Sequence, residues 1–99
     1  MRVKKIESNR PVSHILNEIA DYLEIAEENS YKIETYRRAS LIIKSLPYDI
    51  TFMENLTAIK GIGDSLAVTI GEILNTGTCV LLEGLKRKYG RKNNNRREV

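Results

Sequence analysis

The sequence predicts an all-α fold, a compact bundle of four main helices plus one short helix. Three features carry that expectation. Apolar residues recur at steps of three and four in four separate stretches, no stretch alternates apolar with polar residues, and capping or breaking residues fall between the stretches. The 99 residues, 41% hydrophobic and 29% charged, amount to one domain of ordinary globular composition, which excludes a large multi-domain enzyme.

Val12, Ile15, Leu16, Ile19, Leu23 and Ala26 share one face of a first helix. Pro11 suits its first turn, where a missing N–H does no harm. Asn29 and Ser30 are capping types that break this pattern, and Ile33, Tyr36, Ala39, Ile43 and Leu46 begin a second helix, which Pro47 ends. Thr51 followed by Glu54 reads as a capping box for a short helix from Thr51 to about Ala58. Beyond the segment 59–64, Leu66, Ala67, Ile70, Ile73 and Leu74 mark another helix, closed by Asn75, Thr76 and Gly77. A last helix, about Thr78 to Tyr89, would bury Val80, Leu81 and Leu85. Residues 1–10 and 90–99 are unpatterned and expected to fray, leaving a domain of residues 11–89 with a basic tail.

Charge is unevenly placed. Residues 86–99 hold seven basic groups against Glu98, a balance of +6, whereas residues 1–85 hold nine basic against twelve acidic groups, a balance of −3. The first helix carries Glu18, Asp21, Glu24, Glu27 and Glu28 with no lysine or arginine between residues 12 and 30. A polyanionic partner would therefore meet the tail, including Lys86, Arg87 and Lys88, and a few body cations, and would avoid the first helix. A single cysteine, Cys79, makes no internal disulfide, and with one histidine, His14, there is no zinc set. No apolar run is long enough to span a membrane, the N-terminus lacks the core of a signal peptide, and the tail lacks an apolar stripe. The chain thus reads as soluble and cytoplasmic, nucleoid-associated in a prokaryote, with no membrane partner.

The segment Ile59, Lys60, Gly61, Ile62, Gly63, Asp64 carries the chemistry. Gly61 and Gly63 permit positive φ, and Ile62 would plug the gap between two helices. Backbone N–H groups of Gly63 and of the next helical turn would face outward at the positive end of a helix dipole, forming a seat for phosphate. Asp64 is a good N-cap that competes with phosphate for those N–H groups. A bare G-x-G is more often a plain helix–helix turn with no ligand. The longer pattern Leu56, Ile59, Gly61, Ile62, Gly63, Ala67, Ile70 is more specific, because it places apolar residues where a helix-hairpin-helix closes.

That stretch resembles the DNA-binding helix-hairpin-helix motif. Over residues 12–88 the chain is similar to the N-terminal, lyase-type helix-hairpin-helix domain of family X DNA polymerases. Residues 31–39 (Tyr-Lys-Ile-Glu-Thr-Tyr-Arg-Arg-Ala), Ser45 to Ile50, Ile73 to Gly77 and Leu82 to Leu85 match its segments in order. The resemblance implies phosphate-backbone binding to DNA, without base reading and with a preference for ends, gaps or single-strand junctions, in DNA repair. Lys32 and Tyr36 match its phosphate-binding lysine and active-site tyrosine, and Arg37 and Ser65 join them as expected contacts with Lys60, Gly61, Ile62 and Gly63. No cofactor is required, although family hairpins often hold a monovalent cation, Na+ or K+, and carbonyls of Thr57, Ile59 and Ile62 would supply its ligands.

The departures weigh against an enzyme. The family's Schiff-base lysine and its supporting lysine fall here on Thr69 and Ser65, and a hydroxyl forms no imine with an aldehyde. The metal-binding carboxylates of a polymerase palm have no counterpart among these residues. Two alternatives stay open: a 5′-deoxyribose phosphate lyase with Lys32 or Lys60 as displaced nucleophile, and a protein-interaction bundle in which the hairpin is merely a turn. A polymerase or nuclease subunit is a candidate protein partner.

Overall fold

The stripe of Val12, Leu16, Ile19 and Leu23 needs an apolar partner, and Ala39 and Ile43 on the next helix provide it. In the computed structural model, which describes residues 6–90, the helices are α1 (Asn9–Ile25), α2 (Ser30–Ser45), α3 (Asp64–Thr76) and α4 (Val80–Leu85), the last running into a π-type turn, Lys86–Gly90. Among the described residues there is no strand. α1 packs chiefly against α2, and α3 and α4 close over α1. Leu16, Ile19, Ile43, Ile50 and Ile70 are fully buried, each worth about 1.5–3 kcal/mol relative to exposure.

Small residues bring α1 and α2 close. Ser40 Oγ donates to Ser13 O at 2.9 Å, and the two hydroxyls lie 2.7 Å apart. Because Ser40 has one hydroxyl proton, the Ser13 hydroxyl is the donor of the second bond, and both buried groups are satisfied. α1 stops on a left-handed residue: Glu27 has φ 60°, Glu27 N donates to Glu24 O and Glu28 N to Leu23 O, the paired bonds of a Schellman motif. Asn29 then caps α2 through Oδ1, which accepts Lys32 N at 2.9 Å.

Two expectations are corrected here. The short helix from Thr51 to Ala58 is replaced by two separate 3₁₀ turns, Ile50–Phe52 and Leu56–Ala58. The proposed capping box does not form, because Asp49 and Asn55 each cap one turn instead: Asp49 Oδ1 accepts both Thr51 N and Thr51 Oγ1, and Asn55 Oδ1 accepts both Thr57 N and Thr57 Oγ1. The N-terminal region is also more ordered than its composition suggested. α1 already includes Asn9 and Arg10, and Glu7 and Ser8 are bonded to the body. The expected fraying of residues 1–5 and of the tail 91–99 lies outside the described residues.

Those N-terminal bonds converge on a polar clasp. Asp49 Oδ2 accepts Glu7 N at 2.8 Å and Ser8 N at 3.0 Å, while Asn9 Nδ2 donates to Tyr48 O and Asn9 Oδ1 accepts Ile50 N at 2.7 Å. The clasp serves the free N–H groups before α1 from a residue some forty positions away. Thr51's hydroxyl, ahead of the N–H groups of Thr51, Glu7 and Ser8, holds the Asp49 carboxyl well below the usual carboxylate range against the opposing effect of burial.

A depressed pKa in the folded state means that Asp49 stabilises the fold above its unfolded pKa of about 3.9 and loses that contribution as pH falls. Denaturant unfolding measured from pH 7 downward should show stability declining below about pH 5. Asp49→Asn should be less stable at pH 7 by about 1–3 kcal/mol, with a flatter acid limb. An Asn variant that keeps the parent's acid limb would remove Asp49 from this role.

Candidate nucleic-acid interface

The hairpin is a tight turn between the Leu56–Ala58 turn and α3. Ile62 N donates to Ile59 O at 3.0 Å, and both isoleucines are buried, so Ile62 plugs the core as expected. Gly61 has φ 95°, and a Cβ placed there would lie 2.6 Å from Ile42 Cδ1 of α2. Gly61 therefore answers two demands, left-handed backbone and close approach of the hairpin to α2. Gly63 does not share the first. Its φ of −89° and ψ of −174° are extended, with open space around a would-be Cβ. Positive φ, expected at both glycines, is confined to Gly61.

Gly63 is the N-cap of α3 and offers no side chain to its first-turn N–H groups. Asp64, expected to cap, is instead the first helical residue, with no side-chain cap bond. The start of α3 opens into a cleft of ≈ 450 Å³ between the hairpin and the N-terminal half of α2. Of the expected contacts, the cleft gathers Lys32, Tyr36, Gly61, Gly63 and Ser65. It adds Tyr31, Thr35 and Arg38, which were not among the expected contacts, and Asp64, expected there as a competitor for phosphate.

Arg37 is elsewhere. Its guanidinium bonds Asp21 at 2.9 Å, Glu24 at 3.2 Å and Asn17 at 3.3 Å, all on α1, and the Asp21 bond above all raises its pKa. Arg38, one residue on, turns to the cleft, with Glu34 at 3.4 Å. The helical phase could have separated them: Tyr31, Thr35 and Arg38 follow steps of four and three on one face, whereas Arg37 falls a turn past Ile33 on the side toward α1. Lys32 is 3.7 Å from Glu28.

Tyr36 lines the cleft, and the Thr69 hydroxyl lies behind it. Tyr36 is half-buried, and burial foremost raises its phenol pKa, the nearby Cys79 adding to the rise while a hydrogen bond with Thr69 opposes it. Thr69 is itself buried. Burial likewise pushes the Cys79 thiol up, so it stays protonated at neutral pH. Lys60 is exposed at the hairpin but does not line the cleft. Lys86, Arg87 and Lys88 belong to the last turn: Lys86 is 3.9 Å from Glu83, Lys88 lies over the Tyr89 ring, and Arg87 lines a separate groove with Glu72 and Glu83. Of the three carbonyls proposed to ligate a cation, that of Ile59 already accepts Ile62 N and keeps one lone pair.

The two glycines should respond differently to substitution. Gly61→Ala combines strained backbone with a clash against Ile42 and should destabilise the fold by about 1–3 kcal/mol. Gly63→Ala should stay within about 0.5 kcal/mol of the parent. Thermal unfolding followed by circular dichroism compares them directly, and equal losses would contradict the assignment.

The helix-hairpin-helix domain family matches residues 7–79 of the chain. The chain is 35% identical over 71 residues to a DNA nucleotidylexotransferase of Xenopus laevis, covering 72% of this chain and 14% of that protein. It is 24% identical over 79 residues to the DNA polymerase/3′-5′ exonuclease PolX of Bacillus subtilis (strain 168), covering 80% of this chain and again 14% of the relative. On this match, and on a hairpin built from Ile59, Gly61, Ile62 and Gly63, the chain belongs to the helix-hairpin-helix domain family, in the form carried by family X DNA polymerases.

Proposed function

We propose that this domain binds DNA by its phosphate backbone, without reading base sequence, at the cleft between α2 and the hairpin, and that it serves DNA repair at gaps, ends or single-strand junctions. One observation carries the reading: the start of α3, which has no capping side chain, opens into the same cleft as Lys32, Arg38 and two tyrosines. Helix-start N–H groups and flanking cations are the combination that holds phosphate oxygens, and exposed aromatic rings beside them suit unpaired bases. Tyr31 is 80% exposed at the cleft. Both relatives are named for enzymes acting on DNA, which supports the reading.

Binding rather than catalysis fits the residues in and behind the cleft. Thr69 and Ser65 are hydroxyl groups that form no imine, and Lys32 faces a carboxylate. In this reading a monovalent cation at the carbonyls of Thr57, Ile59 and Ile62 would join protein to phosphate and add to the positive charge of Lys60. The basic tail would add affinity without specificity.

Fluorescence anisotropy with gapped, nicked and intact duplex tests the proposal. Neutralising on the order of four phosphates gives a slope of about −3.6 for log K against log salt. Removal of residues 91–99 should flatten it by about 1–2 while sparing Gly90, whose backbone packs against Tyr22. Gly63→Val, unstrained at an extended φ, should weaken binding about three- to ten-fold on every sequence alike. Arg38→Ala should do the same and Arg37→Ala should not. Folded Gly63→Val and Arg38→Ala proteins that bind as tightly as the parent would reduce the hairpin to a turn.

A further inference from the structure

The charge in the cleft is more balanced than a strong phosphate site requires. Its lining contains two cations, Lys32 and Arg38, and one carboxylate, Asp64. Each cation already has an acidic neighbour on its own side, Glu28 at 3.7 Å from Lys32 and Glu34 at 3.4 Å from Arg38. Counting those neighbours, three carboxylates face two cations. The remaining donors are neutral: the hydroxyls of Tyr31, Tyr36 and Ser65 and the first-turn N–H groups of α3, the Thr35 hydroxyl being given to Tyr31 O.

Among the described residues Asp64 forms no ion pair, and it sits in the first turn of α3, where the helix dipole favours negative charge. A carboxylate built into that position already occupies part of the positive field. An internal phosphodiester brings one negative charge and is tolerated by the two cations. A terminal phosphate, with about −1.5 to −2 at neutral pH, meets Asp64 with nearly twice the repulsion and finds no further cation in the lining.

Building on the DNA-binding reading above, we infer that Asp64 is a specificity-determining residue that sets this cleft against a terminal phosphate, so that the DNA strand it takes is an internal phosphodiester run or a 5′-hydroxyl end. Neutral donors hold the diester oxygens by hydrogen bonds, and the aromatic wall at Tyr31 contacts the base. Neither interaction distinguishes a diester from a monoester by charge. That discrimination falls to Asp64.

The test compares two gapped duplexes that differ only in a 5′-phosphate or 5′-hydroxyl at the downstream edge of the gap, titrated by anisotropy in low salt. The parent should bind the two within about two-fold or prefer the hydroxyl. Asp64→Asn and Asp64→Ser should each move the affinity ratio toward the phosphate by about three- to ten-fold, an effect that shrinks as salt rises. Glu18→Gln removes the same charge from α1 and should leave the ratio unchanged; an equal shift there would make the effect one of net charge and overturn the assignment. A parent that favours the 5′-phosphate more than five-fold, or Asp64 variants that leave the ratio where it was, would overturn the inference while the DNA-binding reading stands. A parent with no salt-sensitive affinity for either duplex would instead overturn the DNA-binding reading, and this inference with it.

Discussion

The Asp49 carboxylate ties the segment ahead of α1 to the turn beyond α2. Its oxygens accept N–H groups from Glu7 and Ser8 ahead of α1 and both the N–H and hydroxyl of Thr51 in the turn beyond α2. Asn9 completes the closure against Tyr48 and Ile50. Hydrophobic burial explains why α1 and α2 pair, but it is non-directional. The clasp supplies direction: it sets where the chain leaves α2, brings fully buried Ile50 beneath α1, and thereby aims the following residues toward the hairpin.

From that fixed point the site is positioned by a close approach. The turn at Gly61 comes so near α2 that a side chain there would overlap Ile42, and the buried Ile59 and Ile62 hold it down on the core. The cleft is thus the seam between two elements fixed at both sides, with its cations on α2 and its helix-start N–H groups on α3. Preorganisation of this kind matters because a surface phosphate contact gains little from charge alone in water, and much of that is lost to salt.

The periodic parts of the fold were legible in the sequence because their cause is local. α1, α2 and α3 follow apolar steps of three and four, and Gly77 ends α3 with φ 86° as a glycine after Thr76 suggests. The segment 50–58 was misread because its capping-box pattern competes with two shorter-range bonds, and Asp49 and Asn55 each form their bonds two residues ahead. The clasp itself was invisible, since its partners are some forty residues apart. Around the cleft, the glycines came from motif spacing and Lys32 and Tyr36 from the family resemblance, whereas Arg37 and Arg38 are told apart by the phase of α2, with Arg37 a turn past Ile33 on the side toward α1. Gly63 was credited with a strained backbone that only Gly61 has, because composition signals that a glycine is needed without saying whether φ or space demands it.

Arg37 also explains how an acidic helix can stand beside a cleft that presents cations. Asp21 and Glu24 project from α1 toward α2, and an unscreened carboxylate pair there would repel any polyanion approaching the adjacent face. By holding both, Arg37 halves the negative charge along that edge of α2. Arg38, one residue on, then carries its charge to the opposite side, tempered only by Glu34. Two consecutive arginines divide the labour in this way because successive residues on a helix point about 100° apart. One settles the field of α1 and the other faces the cleft, so the polarity of the domain is fixed by the phase of α2 and not by its net charge.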